Sequence, residues 1–78
     1  MNIKYDKKAD AIYIKLSDEL YSNGKDLDDI RRIDYDADGN PRGIELLCVS
    51  KGVMTDDLPE RTAVEKMLQL KGIRILVR

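Results

Sequence analysis

The amino-acid sequence predicts a small α+β fold: an antiparallel sheet of two related β-hairpins with one C-terminal helix packed on one face, in the order ββββαβ. Three observations lead there. Apolar residues recur at period two in the short runs 2–6, 11–16 and 30–36, the mark of half-buried strands. The period changes to that of a helix near residue 58. The first half of the chain also resembles itself at a shift of 30 residues.

The elements follow in order. "NIKYD" (2–6) sets Ile3 and Tyr5 against Asn2 and Lys4, and "AIYIKL" (11–16) places Ile12, Ile14 and Leu16 on one face. "SDELYSNGKDLDD" is a polar connection in which Asn23-Gly24 signals a turn. "IRRIDYD" (30–36) carries Ile33 and Tyr35 at period two. "GIELLCVS" (43–50) is apolar on both faces, as a strand near the middle of a sheet would be. The hairpins are therefore expected at about 2–16 and 30–50.

The helix is expected over about 58–71. Asp57 with Glu60, or Thr62 with Glu65, could form a capping box, and Pro59 is tolerated only in a first turn. Val64, Met67, Leu68 and Lys71 fall at i, i+3, i+4 and i+7, and Gly72 stops the helix. "IRILV" (73–77) reads as a short last strand or a tail along the sheet.

Shifted by 30 without gaps, residues 3–16 overlay 33–46, matching Ile3 with Ile33, Tyr5 with Tyr35, Asp6 with Asp36, Ile14 with Ile44 and Leu16 with Leu46. Two similar hairpins side by side in one sheet account for this.

Composition narrows the class. A chain of 78 residues is expected to be one domain, near the lower end of what folds alone, so self-association as a homodimer is a plausible source of further buried area. Charged residues are 37% of the chain but nearly cancel to −1, with a pI of about 5.3. That argues against nucleic-acid binding, whose footprint is a basic stripe. Lys66, Lys71, Arg74 and Arg78 make only a mild basic bias, read as a solvated helix face and strand end. The single Cys48 is expected to be a small buried hydrophobe. With no leader-like apolar segment and nothing near the roughly 20 apolar residues of a membrane span, the chain is expected in the reduced cytoplasm.

"DYDADGNPRGIE" (34–45) matches the calcium-loop pattern, with Asp34, Asp36, Asp38 and Glu45 as would-be ligands and Gly39 at the sharp turn. The flanks argue otherwise. A calcium hand needs helices on both sides, whereas the exit here reads as a strand. In the first repeat the matching residues are Lys4, Asp6, Lys8 and Lys15. The preferred reading is a three-residue hairpin loop, Ala37-Asp38-Gly39, with Asp36 capping the turn. Asp36 would then face Asn40, Tyr35 would face Pro41, Asp34 would face Arg42 and Arg31 would face Glu45. A small-ligand or metal site on the acidic turn Asp34–Glu45 is the alternative.

No other grouping points to catalysis. Asp6 and Asp10 flank a turn and read as caps, there is no His, and no nucleophile stands beside a base. Tyr5, Tyr13, Tyr21 and Tyr35 could stack bases but read as cross-strand packing. Val64, Met67 and Leu68 read as the stripe that covers the sheet. No catalytic residue, metal ligand or cofactor is expected.

"YDKKADAIYIKL" followed by "IDYDADGNPRGIELL" resembles the bacterial and archaeal family known as domain of unknown function 2283. Tyr5, Asp6, Ala9, Asp10, Ala11, Tyr13 and Leu16 carry the first half of the likeness, and Tyr35, Asp36, Gly39, Gly43, Ile44, Glu45 and Leu47 the second. The resemblance carries no catalytic residues across. It implies a small stand-alone protein, and through members beside small ribonuclease-type toxin genes it implies an antitoxin-like interaction module.

Overall fold

The computed structural model describes residues 1–77 and holds a five-stranded antiparallel sheet with one C-terminal helix. The strands are β1 (Asn2–Asp6), β2 (Ala11–Lys15), β3 (Asn23–Asp26), β4 (Arg31–Tyr35) and β5 (Pro41–Leu47), in the spatial order β1-β2-β5-β4-β3. A short 3₁₀ turn (Val49–Lys51), β6 (Val53–Met54), α1 (Arg61–Leu70) and β7 (Ile75–Leu76) follow. The strand apolar on both faces, β5, does lie at the centre.

The repeat has a geometric counterpart. β2 and β5 pair antiparallel through Ile14↔Ile44, each the other's equivalent at a shift of 30. Adding 30 to Ile3↔Ile14 and Lys4↔Tyr13 of the first hairpin yields Ile33↔Ile44 and Asp34↔Gly43, both observed in the second. A pseudo-twofold axis therefore passes beside the Ile14–Ile44 pair.

Around this frame the expected arrangement needs correction. The polar connection contains a strand: Asn23 and Gly24, expected as a turn, open β3, which pairs with β4 at the sheet edge. Gly24 leaves room there for the Arg32 guanidinium, which lies where a Cβ would project. The last strand does not join the large sheet, since β7 pairs in parallel with β6.

Register differs too. Tyr35 faces Pro41 as expected, and the Asp36 N–H donates to the Asn40 carbonyl at 3.0 Å. An irregularity at Asp34/Tyr35 then leaves Arg42 as an extra residue on β5, so that Asp34 faces Gly43, Arg32 faces Glu45 and Arg31 faces Leu46. The expected Asp34–Arg42 and Arg31–Glu45 partners are therefore not opposite one another.

The helix begins at Arg61, not near Leu58. Neither expected capping box forms: Glu60 is the N-cap, left-handed and without a side-chain cap bond, and Asp57 also has a positive φ of 64°. Leu58 is buried in the core, and sinking it there turns residues 55–60 away from helical geometry. At the other end Gly72 closes a Schellman motif. The Ile73 N–H donates to the Leu68 carbonyl at 2.9 Å and the Gly72 N–H to that of Gln69 at 3.0 Å, with Leu68 and Ile73 both buried.

One apolar cluster joins these parts. Ile12, Ile14, Ile44 and Leu46 from the sheet pack with Val49, Val53, Leu58, Val64, Leu68 and Ile73. Cys48 is exposed, contrary to expectation, because it adopts a left-handed conformation (φ 53°) that ends β5 and turns Val49 inward instead.

Candidate functional site: the open face of the sheet

The helix and its flanking segments cover one sheet face, and strand alternation sets the other face outward. The rows across that open face follow from the register. One runs Lys4, Tyr13, Glu45, Arg32, Asp26, and a second runs Asn2, Lys15, Gly43, Asp34, Gly24. A third carries Asp6, Ala11 and Leu47, with Ile30 bound to Leu47 through the Leu47 N–H and the Ile30 carbonyl at 2.8 Å.

The first two rows are tied together by polar bonds. The Tyr13 hydroxyl donates to Asp34 Oδ2 at 3.0 Å and accepts from Arg42 Nη1 at 2.9 Å. Thus Asp34 and Arg42, expected as direct partners, are bridged by a tyrosine from the other hairpin. Arg42 Nε also donates to the Glu19 carbonyl at 2.7 Å. Arg32 reaches Asp34 Oδ1, Asp26 Oδ1 and the Tyr21 hydroxyl at 3.3, 3.0 and 3.1 Å. Gly43 lets this happen, because the Tyr13 hydroxyl and ring occupy the place its Cβ would take. Burial of the ring, then the Asp34 carboxylate, push the Tyr13 pKa above its ordinary value of 10.0. Arg32 is held above its ordinary value chiefly by Tyr21, then by Asp26.

The third row is apolar at its centre. Leu47 is 37% exposed and Ile30 36%, and charged groups of both signs gather beside them in a shallow depression bordered by Asp26, Asp28, Asp29, Glu45, Arg31 and Arg32. Burial would raise the Asp28 pKa, but hydrogen bonds from Arg31 and from the Ile30 N–H outweigh it and leave the group below its ordinary 3.8.

The would-be calcium ligands are dispersed into other roles. Asp36 Oδ1 accepts the N–H groups of Asp38 and Asn40 at 2.9 and 3.0 Å, so it caps the turn. Asp34 is engaged by Tyr13 and Arg32, Glu45 stands opposite Arg32, and Asp38 is exposed. Among the described residues no group of three or more His, Cys, Asp or Glu is placed to hold a metal ion. Asp6 Oδ1 caps the first hairpin turn through the Ala9 N–H at 3.0 Å. Asp10 does something else: it accepts from the Ser50 N–H at 2.9 Å and the Ser50 hydroxyl at 2.6 Å, tying that turn to the 3₁₀ segment. The four tyrosines do not form one platform, since Tyr5 and Tyr35 belong to the covered face and Tyr13 to the open one. Lys66, Lys71 and Arg74 are exposed, and Arg78 lies outside the described residues. Among the described residues no helix is long and apolar enough to cross a membrane.

Arg31, expected only as a partner of Glu45, has a role that the sequence did not suggest: it is 5% exposed. Its Nη1 donates to the carbonyls of Met54 and Asp56 at 3.0 and 2.8 Å, and its Nε donates to Asp28 at 2.8 Å. The signal available was an arginine at a position whose period-two neighbours, Ile33 and Tyr35, face inward.

Among known proteins, residues 2–50, more than half of the chain, match the family described as "Protein of unknown function (DUF2283)". No curated protein and no solved structure matches.

Proposed function

The chain belongs to the DUF2283 family, and from that premise we propose that it is a non-catalytic protein–protein interaction module, whose most concrete form is an antitoxin-like partner of a small ribonuclease. One observation carries the first part: the exposed pair Leu47 and Ile30, side by side on an otherwise polar sheet face. Apolar side chains set among charged ones in a shallow surface are what a binding interface presents. The non-catalytic reading draws support from the polar groups of that face. Tyr13, Asp34, Arg32 and Arg42 are each engaged by one another, which leaves them as scaffold. The lone exposed thiol, Cys48, suits a reducing cytoplasmic setting.

The test is co-expression with the product of the neighbouring gene, followed by co-purification and a ribonuclease assay. A complex in which nuclease activity is suppressed is the expected result. Failure to form any complex sinks the antitoxin form of the reading.

A further inference from the structure

Resting on the reading of the open face as an interface, we propose that its occupant is a second copy of this chain, packed face to face about a twofold axis parallel to β5 near Leu47. The argument is charge placement. The β1–β2 turn (7–10) and the β3–β4 turn (27–30) stand at the same end of the sheet, because Ala11 faces Leu47 and Arg31 faces Leu46. They occupy opposite corners, about 14 Å apart across three strand spacings. One corner carries Lys8, with Asp6 and then Lys4 behind it on β1; the other carries Asp29, with Asp26, already ion-paired to Arg32, behind it on β3.

The apolar stripe of Ala11, Leu47 and Ile30 lies between. An axis along the central strand exchanges left with right and keeps the end of the sheet in place. It therefore sets Lys8 of one copy against Asp29 of the other, and the reverse, with Lys4 brought beside the Asp26–Arg32 ion pair. Leu47 then meets its own copy, and Ile30 meets Ala11. A twofold perpendicular to the strands would set lysine against lysine, so one orientation is selected. Such an isologous contact is self-complementary by construction. Glu45, beside the axis, would face its own copy, which keeps the association weak and reversible.

The experiment is sedimentation equilibrium of the purified chain from 10 to 500 µM in about 50 mM salt, repeated at about 500 mM. The expected result is a monomer–dimer equilibrium that salt weakens. Leu47→Lys should weaken it at least tenfold. Lys8→Asp and Asp29→Lys should each weaken it about fivefold, and the two combined should restore it, since both symmetry-related pairs are remade. Amide spectra confirm that each variant stays folded. A monomer at all concentrations overturns the second copy as occupant but leaves the interaction reading to the co-purification test. A dimer indifferent to Leu47→Lys, or whose single charge reversals are not rescued in combination, equally overturns it.

Discussion

Arg31 Nη1 lies 3.0 Å from the carbonyl oxygen of Met54, 23 residues further along the chain. The same nitrogen reaches the Asp56 carbonyl, so one buried guanidinium holds the segment between β5 and the helix against β4. Its charge is balanced by Asp28 at 2.8 Å and by Asp56 Oδ1 at 3.6 Å. Removing it leaves two carbonyls short of a donor and takes the bound cation from Asp28. Arg31→Ala is expected to lower stability by about 2–4 kcal/mol. Arg31→Lys should recover only part of this, because a single ammonium cannot span all of these acceptors. Urea unfolding followed by circular dichroism measures both. A loss under 1 kcal/mol for the alanine variant would mean that the clamp is dispensable.

Tyr13 and Gly43 are coupled by space. A methyl group at residue 43 runs into the Tyr13 hydroxyl and ring, so Gly43→Ala should destabilise by about 1–3 kcal/mol, the usual range for overpacking. In a Tyr13→Ala background the same change should be nearly free. A double-mutant cycle in unfolding free energy reads the coupling, and additive effects would contradict the arrangement.

Asp36 is buried and accepts two N–H groups through one oxygen. Asp36→Ala should lower stability by about 1–3 kcal/mol by leaving those donors unmet. Asp36→Asn keeps an acceptor oxygen in place and should lose much less. Amide exchange at Asp38 and Asn40 is the local readout: acceleration in Asp36→Ala and little change in Asp36→Asn.

Two carboxylates make stability sensitive to acid. The Thr55 hydroxyl, donating to Glu65 Oε2, holds the Glu65 pKa below its ordinary 4.5, aided by Arg61 and opposed by burial. Asp28 likewise sits below 3.8, where the bonds from Arg31 and the Ile30 N–H exceed the opposing effect of burial. Both folded-state values lie below the unfolded ones. Their contribution is thus fully present above about pH 5 and disappears as pH falls through the folded values. Urea midpoints should be level from pH 7 to 5 and drop below 4.5. Glu65→Gln should flatten that drop, and an unchanged slope would refute the role of the Thr55–Glu65 bond.

Much of the fold was legible in the residues because its signals are local. Period-two alternation located β1, β2 and β4, a run apolar on both faces located β5, and Gly72 marked the end of α1. The shift of 30 holds even in register: the observed Ile33↔Ile44 and Asp34↔Gly43 pairs are the first hairpin's pairs moved along. Counting outward from the turn failed past Tyr35, where the bulge at Arg42 inserts a residue. β3 was hidden because "NGKD" has the composition of a turn, and it becomes a strand only against β4, with Arg32 folded over Gly24. The helix start was misplaced because capping residues report local preference, whereas Leu58 is drawn into a core formed by distant residues.

By itself, then, the sequence determined the class of fold, the two repeated hairpins, the acidic turn and the family likeness. Each of these rests on neighbouring residues or on a fixed spacing along the chain. Tertiary structure alone decided that Tyr13 bridges Asp34 and Arg42, that Arg31 clamps Met54 and Asp56, and that Leu47 and Ile30 share an open face. Those relationships join residues 17 to 29 positions apart, and they arise only when β2, β5 and β4 lie side by side. Hydrogen bonding and close packing depend on distance in space, which no pattern along a single strand records.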